Sequence, residues 1–66
     1  MQVTVNGQTA EFPDGSSIVQ LVALADVPPN YLAVEVNEDV IPRDQHDTYV
    51  LNEGDQVEVV TLVGGG

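Results

Sequence analysis

The sequence predicts an α+β fold of two layers, in which one helix packs on one face of a mostly antiparallel, mixed sheet in the order β-β-α-β-β-β. Three observations carry this expectation. Apolar and polar residues alternate near the start, in the middle and near the end of the chain. One stretch alone, residues 17–25, has helical spacing. Gly, Pro, Asn and Asp punctuate the joins, which is where turns need them.

At the start, Val3 and Val5 point one way while Gln2, Thr4 and Asn6 point the other, the period of a strand with one buried face. Asn6-Gly7 then predicts a tight hairpin turn, because both residues tolerate positive φ. A second strand is expected over 9–12, ended by Pro13-Asp14-Gly15. Ser17 and Gln20 have capping-box spacing, and Ile18, Leu21, Val22 and Ala25 fall on one stripe of a helix. Pro28-Pro29 prevents its continuation. A helix so short needs a sheet to hold it.

Residues 32–37 alternate again, with Leu32, Val34 and Val36 expected inward. Asn37-Glu38-Asp39 is a turn, Val40-Ile41 a short strand, and 43–47 a loop or one helical turn. Residues 48–51 form a brief extended piece before the Glu53-Gly54-Asp55 turn. The last strand is expected from Gln56 to Val63, with Val57 and Val59 facing the core. This order is the β-grasp, or ubiquitin-like, arrangement. Residues 1–63 form its single domain and residues 64–66 a flexible glycine tail.

Composition removes whole classes of function. A domain of 66 residues has a small core, and an enclosed pocket of about 300 Å³ or more would hollow it out. An independent enzyme is not expected, and no catalytic residue is assigned. The absence of cysteine excludes disulfides, thiolate metal sites and a thiol nucleophile. Eleven acidic side chains face one basic residue, Arg43, for a net charge of -10. That balance argues against nucleic acid and anionic membranes as partners. It suits a basic partner surface, or solubility alone. With no positively charged n-region and no long apolar run, the chain reads as cytoplasmic.

The most informative stretch is Gly64-Gly65-Gly66, directly after the last expected strand. Glycines add nothing to a fold, so they are a frayed or artificial terminus, or else a thin arm. Three extended residues reach about 10 Å and, lacking Cβ atoms, could thread a narrow tunnel. At their end stands a carboxylate that is ionised at neutral pH.

Over its whole length the chain resembles the thiamine-biosynthesis sulfur-carrier proteins, the ThiS-like family. The matching stretches are Val5-Asn6-Gly7, Ala33-Val34-Glu35-Val36-Asn37, Val40-Ile41-Pro42-Arg43, and 51–59 running on to Val63-Gly64-Gly65-Gly66. The resemblance implies that an adenylating, ubiquitin-activator-like enzyme uses ATP to adenylate the Gly66 carboxylate. Sulfur from cysteine, through a cysteine desulfurase, then leaves a thiocarboxylate that thiazole synthase consumes. Gly64 and Gly65 would thread the partners' active sites. The carrier itself binds no cofactor and no metal. The family pattern commonly ends in two glycines, and here there are three.

Val60 and Leu62 fall out of phase with Val57 and Val59. With Val63 they are expected to form a docking surface on the sheet face away from the helix. His46, flanked by Asp44 and Asp47, is read as a solvated loop residue in preference to a proton shuttle or ligand. Arg43 is read as half of a structural ion pair. Glu35, Glu38, Asp39, Asp44 and Asp47 lack calcium-loop spacing and are read as surface charge. The lack of lysine leaves no side-chain amine for self-conjugation. Rival functions on the same fold are a molybdopterin synthase small subunit, a tRNA-thiolation carrier, a ubiquitin-like modifier and, with no carrier chemistry, a β-grasp interaction domain.

A net charge of -10 on so small a domain makes self-repulsion a cost of folding. The denaturation midpoint is therefore expected to rise with added neutral salt, which screens that repulsion. A midpoint independent of salt would show that the acids do not destabilise the fold.

Overall fold

Two hairpins and one helix are assembled around the last strand. The computed structural model describes residues 1–25, 27–28 and 30–61. Strands β1 (Gln2–Val5) and β2 (Gln8–Glu11) form the first hairpin, followed by helix α1 (Ile18–Leu24). The second hairpin pairs β3 (Ala33–Val36) with β4 (Asp39–Ile41), and a 3-10 turn (Arg43–Gln45) leads on toward β5 (Gln56–Val60). The sheet order is β2-β1-β5-β3-β4. β5 runs parallel to β1 and antiparallel to β3, and the other pairs are antiparallel. This is the expected β-grasp arrangement, with its one parallel pair at the centre.

Local chemistry accounts for each hairpin. Asn6 and Gly7 both have positive φ, 50° and 83°, and join Val5 to its partner Gln8 in the turn that matches strand twist. The second turn repeats this geometry at Asn37 (φ 51°) and Glu38 (φ 73°), between the paired Val36 and Asp39. Near the first hairpin's other end, the Met1 ammonium donates to Phe12 O at 2.7 Å and meets Asp14 Oδ1 at 3.0 Å. Hydrogen bonding to Asp14, opposed by partial desolvation and assisted by nearby Glu11 and Glu53, holds that amine above its ordinary pKa.

The helix begins as its sequence requires. Ser17 Oγ accepts from Gln20 N, and Gln20 Oε1 accepts from Ser17 N, so the capping box is closed. The next orphan amide, Val19 N, donates to His46 O at 3.0 Å, and Ile18 N donates to Tyr49 O at 3.3 Å. Residues 46–51 therefore wrap the helix start, and Leu51 N closes the wrap on Ser16 O. The expected extended piece at 48–51 is reduced to a single bridge, Ser17 to Val50.

The core lies between α1 and the inner face of the sheet. Ile18, Leu21 and Val22 come from the helix; Val3, Val34, Val36, Ile41, Val57 and Val59 come from the strands. Phe12, Tyr31 and Leu51 close its edges. Each such side chain contributes about 1.5–3 kcal/mol by leaving water. Ala25 and Val5 pack against this cluster, as their periodicity predicts.

One inward assignment fails. Leu32 is 58% exposed, although Val34 and Val36 keep their phase. The ladder to β5 begins at Ala33, and the core at that edge is closed by Tyr31, which leaves Leu32 without cover. The second strand is also shifted by one residue from its expected span, Gln8–Glu11 instead of 9–12. Of the expected last strand, Gln56–Val60 is a strand, Thr61 follows outside it, and 62–66 lie outside the described residues.

Glu38 holds a left-handed conformation without being glycine, at a cost of about 1–2 kcal/mol. Glu38→Gly should relieve that strain and, after the entropy that glycine adds to the unfolded chain, stabilise by about 0.5–1 kcal/mol. The expected readout is a higher urea midpoint at unchanged m-value. A lower midpoint would mean that the glutamate side chain offsets its own backbone strain.

Candidate functional site

Of the residues assigned to function, the structure describes Val60, at the end of the sheet where β5 terminates. Val60 is the last residue of β5 and is 38% exposed, on the face opposite buried Val57 and Val59. Its cross-strand partner on that face is Ala33. Exposed Leu32 adjoins it in sequence, and exposed Val40 lies opposite Glu35 two strands away. Leu62, Val63, Gly64, Gly65 and Gly66 lie outside the described residues. The described part of the expected docking surface is therefore Val60, with Ala33 paired beside it on the same face.

Two asparagines tie β5 into its place. Asn6 N donates to Val57 O, and Asn6 Oδ1 accepts from Val59 N at 2.8 Å, which extends the β1–β5 ladder by one rung past the end of β1. At the other end of β5, Asn37 Oδ1 accepts from Gln56 N at 3.0 Å and Asn37 Nδ2 donates to Asp55 Oδ1 at 3.1 Å. Asp55, buried, also accepts from Asn52 N through Oδ2. Both asparagines were legible as turn formers. Their side-chain contacts to a strand some twenty to fifty residues away carry no local signal.

His46 and Arg43 depart from expectation. His46 is 2% exposed, not solvated. Its Nε2 lies 2.8 Å from Ile41 O, which can only accept, so Nε2 carries a proton. In the neutral ring Nδ1 then accepts the Tyr31 hydroxyl proton, at 3.1 Å. The two rings stack with centroids 5.8 Å apart. The cause is the 46–51 wrap: once His46 O caps the helix, its side chain is carried into the core edge. Arg43 makes no ion pair among the described residues. Its guanidinium donates to Tyr31 O and lies 4.5 Å from the Tyr31 ring centroid.

The single imidazole is buried with both nitrogens engaged. Among the described residues no cluster of three or more His, Cys, Asp or Glu could hold a metal, and no helix is long and apolar enough to cross a membrane. An open groove of ≈ 660 Å³ runs beside the end of β5, lined by Val5, Asn6, Gln8, Leu24, Val27 and Thr61 among others. Its lining presents the amides of Asn6 and Gln8, the hydroxyls of Thr9 and Thr61, the Glu11 carboxylate and apolar groups.

Residues 3–66 match the ThiS family. The chain is 26% identical over 66 residues to the sulfur carrier protein ThiS of Escherichia coli (strain K12), covering 100% of both. It is 35% identical over 66 residues to a thiazole synthase of Magnetococcus marinus, of which it covers 20%. The chain thus spans a fifth of the length of the curated thiazole synthases that it matches. Among solved structures, the thiamine biosynthesis protein ThiS of Geobacter metallireducens superposes with a TM-score of 0.82 at 30% identity, covering 100% of each chain.

The buried imidazole makes a sharp prediction. His46→Ala leaves Ile41 O and the Tyr31 hydroxyl without partners and opens a cavity, at a combined cost of about 2–4 kcal/mol. Chemical denaturation should record that loss. A cost below about 1 kcal/mol, the scale of one ordinary hydrogen bond, would show that water or a shifted Tyr31 replaces the ring.

Proposed function

The chain belongs to the ThiS family, and on that footing we propose that it is a sulfur carrier for thiamine biosynthesis, a co-substrate of partner enzymes and not itself a catalyst. The observation that carries this reading is the family match over residues 3–66, which includes the three terminal glycines. The name of the full-length relative in Escherichia coli supports it. The thiazole synthases that contain a stretch similar to this whole chain support thiazole synthase as the acceptor.

The reacting group is the α-carboxylate of Gly66. It attacks the α-phosphorus of ATP on an activating enzyme, and pyrophosphate leaves. The acyl adenylate makes a good leaving group of an oxygen that the bare carboxylate could not expel. A persulfide sulfur, drawn from cysteine by a desulfurase, adds at the carbonyl and AMP departs. A thiol then cleaves the sulfur–sulfur bond and leaves the thiocarboxylate. Gly64 and Gly65 are the spacer that enters the partners' sites. Tethering keeps the reactive sulfide on one protein until thiazole synthase takes it.

Docking falls to the outer face of the sheet at the β5 end. Val60 and its cross-strand partner Ala33 supply apolar surface there, and Leu62 and Val63 are the next apolar residues in sequence before the tail. Glu35 and Glu58, directly paired across β3 and β5, border it with negative charge. A partner with an apolar centre and a basic rim is complementary to that arrangement.

The test is mass analysis after incubation with the organism's activating enzyme, ATP, a cysteine desulfurase, cysteine and a thiol reductant. Exchange of oxygen for sulfur nearly matches the mass of Met1 oxidation, so the product is fragmented and trapped with an alkylating reagent. Sulfur on Gly66, lost again when thiazole synthase and its substrates are added, is the expected outcome. Leu62→Asp should raise the KM for the activating enzyme without unfolding the domain. A C-terminus that stays unmodified, while a known carrier reacts in parallel with its own enzymes, would leave only an acidic interaction domain.

A further inference from the structure

We propose that Arg43 is a positioning residue for the carrier reaction: it clamps the peptide that anchors Val60 and so holds the end of β5, from which the sequence continues to Gly66. The inference rests on the carrier reading for its functional half, and on geometry alone for its structural half.

The geometry centres on one peptide unit, Tyr31–Leu32. Its carbonyl, Tyr31 O, accepts from Arg43 Nη2. Its amide, Leu32 N, donates to Val60 O at 2.7 Å. Because a trans peptide is planar and carries its C=O and N–H on opposite sides, the two contacts hold the same rigid plate from either side. They also reinforce one another. A cation on the carbonyl polarises the amide, and the polarised N–H binds Val60 O more strongly. Val60 O belongs to the last residue of β5, and the chain beyond it leads to the glycines.

The plate is held in orientation as well. The Arg43 guanidinium lies against the Tyr31 ring, and the Tyr31 hydroxyl is fixed by His46, itself bound to Ile41 O. Pro42, extended at φ -56° and ψ 144°, follows β4 directly and starts the turn that carries Arg43 back to Tyr31. In a chain with eleven acidic residues and a single basic one, the one cationic side chain is spent on a neutral carbonyl at the root of the tail. No carboxylate pairs with it among the described residues. A stability role alone would be met equally well by an ion pair elsewhere on so acidic a surface. The location points to control of the β5 end.

Two variants and two readouts test this. Arg43→Met keeps the aliphatic stem and removes the charge and donors; Arg43→Lys keeps a charge that can reach Tyr31 O. In Arg43→Met, amide exchange at Leu32 should accelerate about tenfold, a loss of the size expected for one charge-assisted hydrogen bond, while amides in the middle of β5 change little. With the carrier saturating the activating enzyme, kcat for sulfur transfer to Gly66 should fall about tenfold or more at nearly constant KM, since loosening the end of β5 costs rate and not docking. Arg43→Lys should recover most of both. Unchanged Leu32 exchange in Arg43→Met, uniform acceleration of every amide, or undiminished kcat would each overturn the clamp. Failure of the carrier reading is distinct: the unaltered protein would then acquire no sulfur, and the exchange measurement would still decide whether Arg43 holds the peptide.

Discussion

The fold depends on β5 being inserted between β1 and β3. The two hairpins form from local turns, but neither has a second strand pair or a full core by itself, and isolated hairpins are marginal in water. Only β5 joins them, pairing in parallel with β1 and antiparallel with β3. Its inner residues Val57 and Val59 belong to the buried cluster. The sheet, the core under α1 and the place where the chain emerges are thus settled together, by contacts between the first and last parts of the sequence. Such long-range pairing makes for slow and cooperative folding.

That arrangement also fixes the point at which the chain leaves the sheet. A strand buried between two neighbours cannot fray sideways, so the chain leaves the sheet from a rigid point. Asn6 secures β5 from the β1 side through Val59 N, and the Tyr31–Leu32 peptide secures it from the β3 side through Val60 O. The proposed carrier role would need a stiff body and a thin projection, and the β-grasp supplies the first of these with very few residues.

Electrostatics divide the molecule into two regimes. Outside, acids face acids: Glu35 and Glu58 are direct cross-strand neighbours, an arrangement that costs stability in the free protein. Inside, charge is either satisfied or absent. Asp55 is buried against two nitrogen donors, and no described buried side-chain polar atom lacks a partner. The surface therefore carries unrelieved negative charge, while the interior is closed by satisfied hydrogen bonds and by one arginine.

Much was determined by sequence alone, and for a common reason. The Asn6-Gly7 turn, the Ser17–Gln20 capping box, the helix stripe, and the inward Val3, Val34, Val36, Val57 and Val59 are all consequences of spacing within a few residues, which the backbone enforces wherever the segment sits. The family resemblance was legible likewise, because its motifs are contiguous. What the tertiary structure decided lies at the ends of elements. Leu32 is exposed because the core edge beyond Ala33 is closed by Tyr31. His46 is buried because the helix needed an acceptor for Val19 N and took it from a loop distant in sequence. Arg43 binds a carbonyl because β4 and the turn after it return to the start of β3. Periodicity says which way a side chain points, but not what covers it; that depends on neighbours brought in by β5, and they are remote in the chain.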